Sequence, residues 1–167
     1  ARKISGALTS AGLKTSVPTV LNQLQWFQDA FIIEQASRYD IIGKELLTTT
    51  EKYYAADLGL RNAIKSSEKL DISKLYENLI YLEMRTRGYQ VRVGKLKDQE
   101  IDFICQKGRE KLYIQVAYLL TPKDMDREFG NLKAIQDNYP KYVISSDLAD
   151  MSQDGIIHKN ILEFLLE

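Results

Sequence analysis

From residue 71 onward the apolar residues change period again and again, and this restricts the fold more tightly than any other feature of the chain. Leu75, Leu79 and Leu82 recur at helical spacing behind a cap at Asp71 or Ser73, and Gly88 supplies the stop. Strand-like alternation follows at residues 89–93, 100–105 and 111–120, with 94–99 and 107–110 as turns. A helix over residues 124–137 turns Met125, Phe129, Leu132 and Ala134 or Ile135 inward. A strand at 142–145 and an amphipathic helix over 156–166 complete the series. Such an order predicts a mixed α/β chain whose sheet is flanked by helices.

The first 64 residues follow a different plan. Ile4, Leu8 and Ala11 mark a helix over residues 2–13, with Gly12 as its stop. Ser16 is a good N-cap, and Pro18 falls in a first turn, where a missing N–H costs little. Val17, Val20, Leu21, Leu24, Phe27 and Phe31 then form one apolar stripe. Residues 31–41 and 45–56 are rich in branched and aromatic side chains, and Ile42, Gly43 and Lys44 make a hairpin turn between them. Helix, turn, helix and hairpin is the order of a winged helix-turn-helix. In a DNA-binding version of that motif, Lys14, Thr19, Asn22, Gln23, Arg38 and Lys44 would face double-stranded DNA. Residues 16–30 nonetheless contain no Lys or Arg, and phosphate neutralisation supplies much of DNA affinity. Packing against a protein is the competing role. The polar stretch from Lys65 to Lys69 separates a winged-helix-like segment, 1–64, from a second domain, 70–167.

Three polar positions in the second domain have the order of a metal-dependent nuclease site: Glu77 on a helix, Asp102 on a strand and Gln115 on the next strand. Strand alternation puts Glu100 and Asp102 on one face and Ile101, Phe103 and Cys105 on the other. A four-residue loop at 107–110 pairs Gln106 with Lys111, so that Asp102 lies across from Gln115 and Glu100 across from Ala117. For Glu77 a solvated helix position competes with a place in the site. Glu83 and Arg87 make an ordinary i, i+4 pair. The ten tyrosines read as strand and core residues, and His158, the lone histidine, as a surface or capping residue. With one histidine, histidine-based metal clusters and Ser–His–Asp triads lack parts.

Twenty-three basic residues balance twenty-three acidic ones, so no global field draws the chain to nucleic acid or membrane. The single cysteine, Cys105, excludes an internal disulfide and suits a reducing, cytoplasmic setting. No apolar run is long enough for a bilayer. The chain begins at Ala1 already in a helical pattern, which suggests a piece of a longer protein.

At these residues the chain resembles the C-terminal region of prokaryotic AAA+ ATPases that carry a domain of unknown function after the ATPase module. The resemblance rests on Arg38-Tyr39-Asp40-Ile41, Lys52-Tyr53-Tyr54, Asp57-Leu58-Gly59-Leu60-Arg61-Asn62, Glu100-Ile101-Asp102-Phe103, Ile114-Gln115-Val116-Ala117-Tyr118 and Asp137-Asn138-Tyr139-Pro140. It implies a winged helix followed by a restriction-endonuclease-like fold of the PD-(D/E)xK type. In active relatives two acidic residues and the first (D/E)xK residue hold magnesium, and the lysine helps to activate water. Carried over, Glu77, Asp102 and Gln115 face the metal, with Glu77 and Asp102 as its carboxylate ligands, and Ala117 stands at the lysine position. A neutral Gln115 weakens a magnesium site, which favours carboxylate oxygen. No phosphate-binding loop occurs, so ATP and its magnesium belong to an N-terminal domain outside this sequence. Three functions follow as expectations. The first is a non-catalytic module that binds DNA, the ATPase domain or another protein. The second is a magnesium nuclease with a lysine displaced to Lys95, Lys97 or Lys111. The third is an oligomerisation or docking domain.

Overall fold

Two short helices lead into the sheet: α1 (Arg2–Ser10) and α2 (Val17–Asp29). The computed structural model describes residues 1–64 and 71–167, with residues 49 and 50 described by their backbone alone. Ser16 caps α2 by accepting the Thr19 N–H at 3.2 Å, and Pro18 sits in the first turn. The hairpin follows as β1 (Ile33–Asp40) and β2 (Glu45–Ala55). Asp40 shapes its turn, one carboxylate oxygen accepting the N–H of both Ile42 and Gly43 at 2.9 Å. After α3 (Leu58–Ile64), the polar linker expected at 65–69 and the boundary placed there lie outside the described residues.

The remaining elements are α4 (Ile72–Thr86), β3 (Gln90–Leu96), β4 (Gln99–Lys107), β5 (Glu110–Val116), α5 (Pro122–Lys133), β6 (Lys141–Ser145), β7 (Ile157–Asn160) and α6 (Ile161–Leu166). Among the described residues the strands form one seven-stranded mixed sheet, ordered β2-β1-β3-β4-β5-β6-β7. β1 runs parallel to β3, so the N-terminal hairpin extends the sheet of the second segment. Helices cover both faces. α4 and α6 pack with Tyr54, Val91, Phe103, Cys105 and Ile114 on one side; α5 packs with Ile101, Ile104, Tyr113 and Val143 on the other.

Four expectations need correction at the level of the fold. The α4 face turned to the core is Glu77, Ile80, Tyr81 and Met84, while Leu75, Leu79 and Leu82 are only partly buried. β3 continues through Leu96, and the hairpin turns on Lys97 and Asp98 rather than over 94–99. Residues 157–160 form a seventh strand instead of opening a helix, because burial there alternates with period two: Ile156, His158 and Asn160 point inward. His158 is therefore buried, not at the surface. Its Nδ1 accepts the Met151 N–H at 3.3 Å, leaving Nε2 to donate to Ser145 Oγ at 2.9 Å; Ser145 donates in turn to Asp147 at 2.8 Å. With the imidazole proton on Nε2, His158 cannot act as a base toward Ser145. The trio ties β6 to β7.

Candidate functional site

The register around β4 builds the site. Gln106 pairs with Lys111, as the loop length requires, and the β4–β5 ladder runs on to Phe103 and Ile114. Beyond it, Gln115 Oε1 accepts the Asp102 N–H at 2.6 Å, while an Asp102 carboxylate oxygen accepts the Val116 N–H at 2.9 Å. On the other edge β4 carries one extra residue: Arg92 pairs with Ile104, but Gly94 pairs with Ile101. This bulge breaks simple alternation. Ile101 turns to the α5 side while Phe103 and Cys105 turn to the α4 side, although all three were expected on one face. Glu100 and Asp102 both open into a cleft of about 950 Å³, which Glu77, Gln115, Ala117 and Glu128 also line.

Glu77 enters this cleft because α4 is clamped to β2. Asn78 accepts the Ala55 N–H and donates to the Ala55 carbonyl, each at 2.9 Å. One turn along, Tyr81 stacks on Tyr54 at 4.2 Å between centroids. Glu77 is thus only 5% exposed, not solvated. Its Oε1 accepts from Tyr54 at 2.7 Å and from Lys52 at 2.8 Å, and its Oε2 from Lys74 at 2.8 Å. The Lys52 ammonium also lies 2.5 Å from Glu100, whose other oxygen pairs with Arg38 at 2.6 Å. Lys52 therefore bridges the helical and the strand glutamates.

These charges set the acidities. Burial alone would raise the Glu77 carboxyl, but Lys52, Lys74 and Tyr54 outweigh it and hold the group below its usual range. Glu100 behaves likewise, with Lys52 and Arg38 overcoming burial. Burial would lower the Lys52 ammonium, yet Glu77 and Glu100 hold it above its ordinary value. Asp102 goes the other way. Burial, reinforced by the Glu77 charge, pushes it up to about 7, against the pull of the Val116 N–H.

That shift gives a pH prediction. The unfolded carboxyl releases its proton near 3.8 and the folded one near 7, so between those values the fold binds more protons than the open chain. This group therefore subtracts stability progressively as pH rises through that window, and by a constant amount above it. Asp102→Asn can still accept from Val116 and removes the titration. Urea titrations should find the variant close to the parent at pH 4 and more stable at pH 8, by on the order of 2 kcal/mol. A gain that did not grow with pH would contradict this.

Gln115 offers little to a metal. Its Oε1 is engaged by the Asp102 N–H, and its Nε2 donates to Glu128 at 2.8 Å. Glu128 is itself buried and held by Arg127 at 2.5 Å. Ala117, which was expected at the lysine position, is buried against the α5 core. Among the described residues no three His, Cys, Asp or Glu side chains converge as a metal-holding group. Lys97 and Lys111 line another cleft, while Lys95 is exposed on β3 at the position paired with Glu100. Sequence reasoning missed Lys52 and Glu128. The signal for Lys52 was its i, i+2 spacing from Tyr54 in β2, which puts a charge on the buried face of the strand.

The residues expected to contact DNA fall in several settings. Lys14, Asn22 and Gln23 are exposed, and Thr19 is tied to Ser16 at 2.8 Å. Arg38 belongs to the Glu100 network, and Lys44 lines the other cleft.

Residues 1–74 match a family model described as "Domain of unknown function (DUF8612)". The chain is 38% identical over 166 residues to an uncharacterized protein of Haemophilus influenzae, covering 99% of this chain and 41% of that protein. It is 32% identical over 141 residues to the uncharacterized protein MJ1544 of Methanocaldococcus jannaschii, covering 81% of this chain and 31% of that protein. The chain thus spans less than half the length of either relative.

Proposed function

We propose that this chain is the non-catalytic C-terminal module of an AAA+ ATPase, a winged helix joined to a restriction-endonuclease-like sheet whose nuclease centre is closed by an internal cation. The observation that carries this reading is Lys52, whose ammonium lies 2.8 Å from Glu77 and 2.5 Å from Glu100. A divalent ion in a nuclease of this fold would neutralise the charge these carboxylates carry, and here an amine already does so. Together with the engaged Gln115, this is a poor fit to magnesium, which takes several oxygen ligands and keeps water. No catalytic step is assigned to such an ion. Among the described residues no helix is long and apolar enough to cross a membrane.

On this reading the module works by binding. α2 leaves Leu21, Trp26 and Phe27 exposed at different angles around its axis, is followed by Phe31 at 84% exposure, and carries no basic residue. Exposed apolar side chains without a cation among them suit a protein partner, the ATPase domain, better than the phosphates of duplex DNA. The test is a plasmid-cleavage assay of the intact chain with magnesium or manganese, in which no nicking above buffer is expected. A second reading draws on the same amine. If Lys52 does the work of the lysine absent from position 117, cleavage appears and is lost in both Asp102→Asn and Lys52→Met, and the non-catalytic reading fails.

A further inference from the structure

A separate cleft of about 1040 Å³ opens on the α5 side of the sheet and shares only Gln99 with the one described above. Its rim and walls include Lys44, Lys97 and Lys111, with Tyr39, Tyr113 and Tyr139 beside them. Strand register places Tyr113 beside Lys141. Arg92, Ile104, Tyr113 and Lys141 stand in one row across β3, β4, β5 and β6.

Two of the cations in this region rest on aromatic faces. The Lys111 ammonium lies 4.8 Å from the Tyr113 ring centroid and 5.1 Å from that of Tyr139. The Arg92 guanidinium lies 5.7 Å from the Tyr39 centroid, and its Nε is buried without a hydrogen-bond partner among the described residues. The carboxylates that line the cleft are Asp98 and Asp137, and Asp40 and Glu45 flank Lys44 in its turn. Asp137 is already engaged, accepting from Tyr113 at 2.6 Å and pairing with Lys141 at 3.4 Å and with Lys111 at 3.9 Å. Lys44 and Lys97 have no carboxylate within ion-pair distance among the described residues. Both hold the left-handed backbone conformation, φ 54° and 57°, that a side chain rarely adopts, at the two hairpin turns that lip the cleft. Lys111 is held below its ordinary value by burial, against Asp137, and Lys44 and Lys141 add to the lowering. The lining of the cleft thus carries three ammonium groups, Lys44, Lys97 and Lys111, against the two carboxylates of Asp98 and Asp137.

We propose that this cleft binds a nucleoside phosphate unit. Lys44, Lys97 and Lys111 receive the phosphate, and the base lies against the half-open Tyr139 ring and the apolar wall of Ile42 and Leu96. The volume accommodates a mononucleotide, whereas inorganic phosphate would leave the aromatic wall unused. The unit can come from a free nucleotide or from a single strand.

The test uses the intact chain with three probes, ADP, a fluorescein-labelled oligothymidylate and inorganic phosphate, at low and at physiological ionic strength. At least one base-bearing probe should bind, at least about tenfold more tightly than phosphate, and weaken with salt. Tighter binding of ADP assigns a free nucleotide; tighter binding of the oligomer assigns a strand. Lys97→Glu, alone and combined with Lys44→Glu, should cost about tenfold or more, while Lys123→Glu on exposed α5 changes nothing. Both tested lysines are exposed turn residues, so circular dichroism should find the variants folded. Failure of both base-bearing probes, equal binding of phosphate, or indifference to Lys97→Glu would overturn the assignment.

Discussion

Lys52→Met should destabilise the protein by about 3 kcal/mol, measured by urea unfolding at neutral pH. The methionine preserves most of the stem volume and removes only the ammonium. What remains is Glu77, almost fully buried and held by Tyr54 and Lys74, close to a Glu100 that keeps Arg38. A buried carboxylate that loses its principal counter-charge costs far more than an exposed pair, whose loss is worth well under about 1 kcal/mol. The double variant Lys52→Met, Glu77→Gln should recover much of the deficit, because the two changes report one interaction. Additive losses would show that Lys52 serves packing and not charge.

Gly94→Ala should be comparably damaging, for a purely steric reason. A methyl group at this position would lie 2.8 Å from Ile101 Cβ and 3.1 Å from two atoms of Ile104. Both neighbours are fully buried β4 side chains under α5, on either side of the bulge, so neither can swing clear. The cost should be about 2–3 kcal/mol. Moving Ile101 also moves its chain neighbours, Glu100 and Asp102, so the pH response attributed to Asp102 should change with it. Gly130→Ala is the control. Its new methyl meets nothing within 4 Å and lies inside α5, so that variant should gain about 0.5–1 kcal/mol. Equal effects at the two glycines would refute the crowding argument.

Local chemistry carried most of the fold into view. Ser16 and Asp71 cap helices through side-chain oxygens, the turn at Ile42, Gly43 and Lys44 makes the hairpin, and the 107–110 loop fixes the β4–β5 register. Each signal lies within a few residues of its consequence. The misses came from distant contacts. Residues 156–160 carry apolar side chains that fit either period, and pairing with β6 decided for a strand. The bulge that splits Ile101 from Phe103 arises from the Arg92–Gly94 edge of a neighbouring strand, which alternation within β4 cannot reveal. Glu77 had the look of a solvated helix position because its partners, Lys52 and Tyr54, lie more than twenty residues earlier. For the same reason the site was legible as Glu77, Asp102 and Gln115 but not as an ion-pair network. Strand spacing shows which way Lys52 points, while only the assembled sheet shows what it meets.

Calorimetric titration with manganese tests the closed site most directly, on the parent chain and on Lys52→Met. With the ammonium between Glu77 and Glu100, the parent should give no saturable heat in the millimolar range, and removing the amine should improve affinity measurably. Tight stoichiometric binding to the parent, abolished by Asp102→Asn and unimproved by Lys52→Met, would contradict a cation-closed centre.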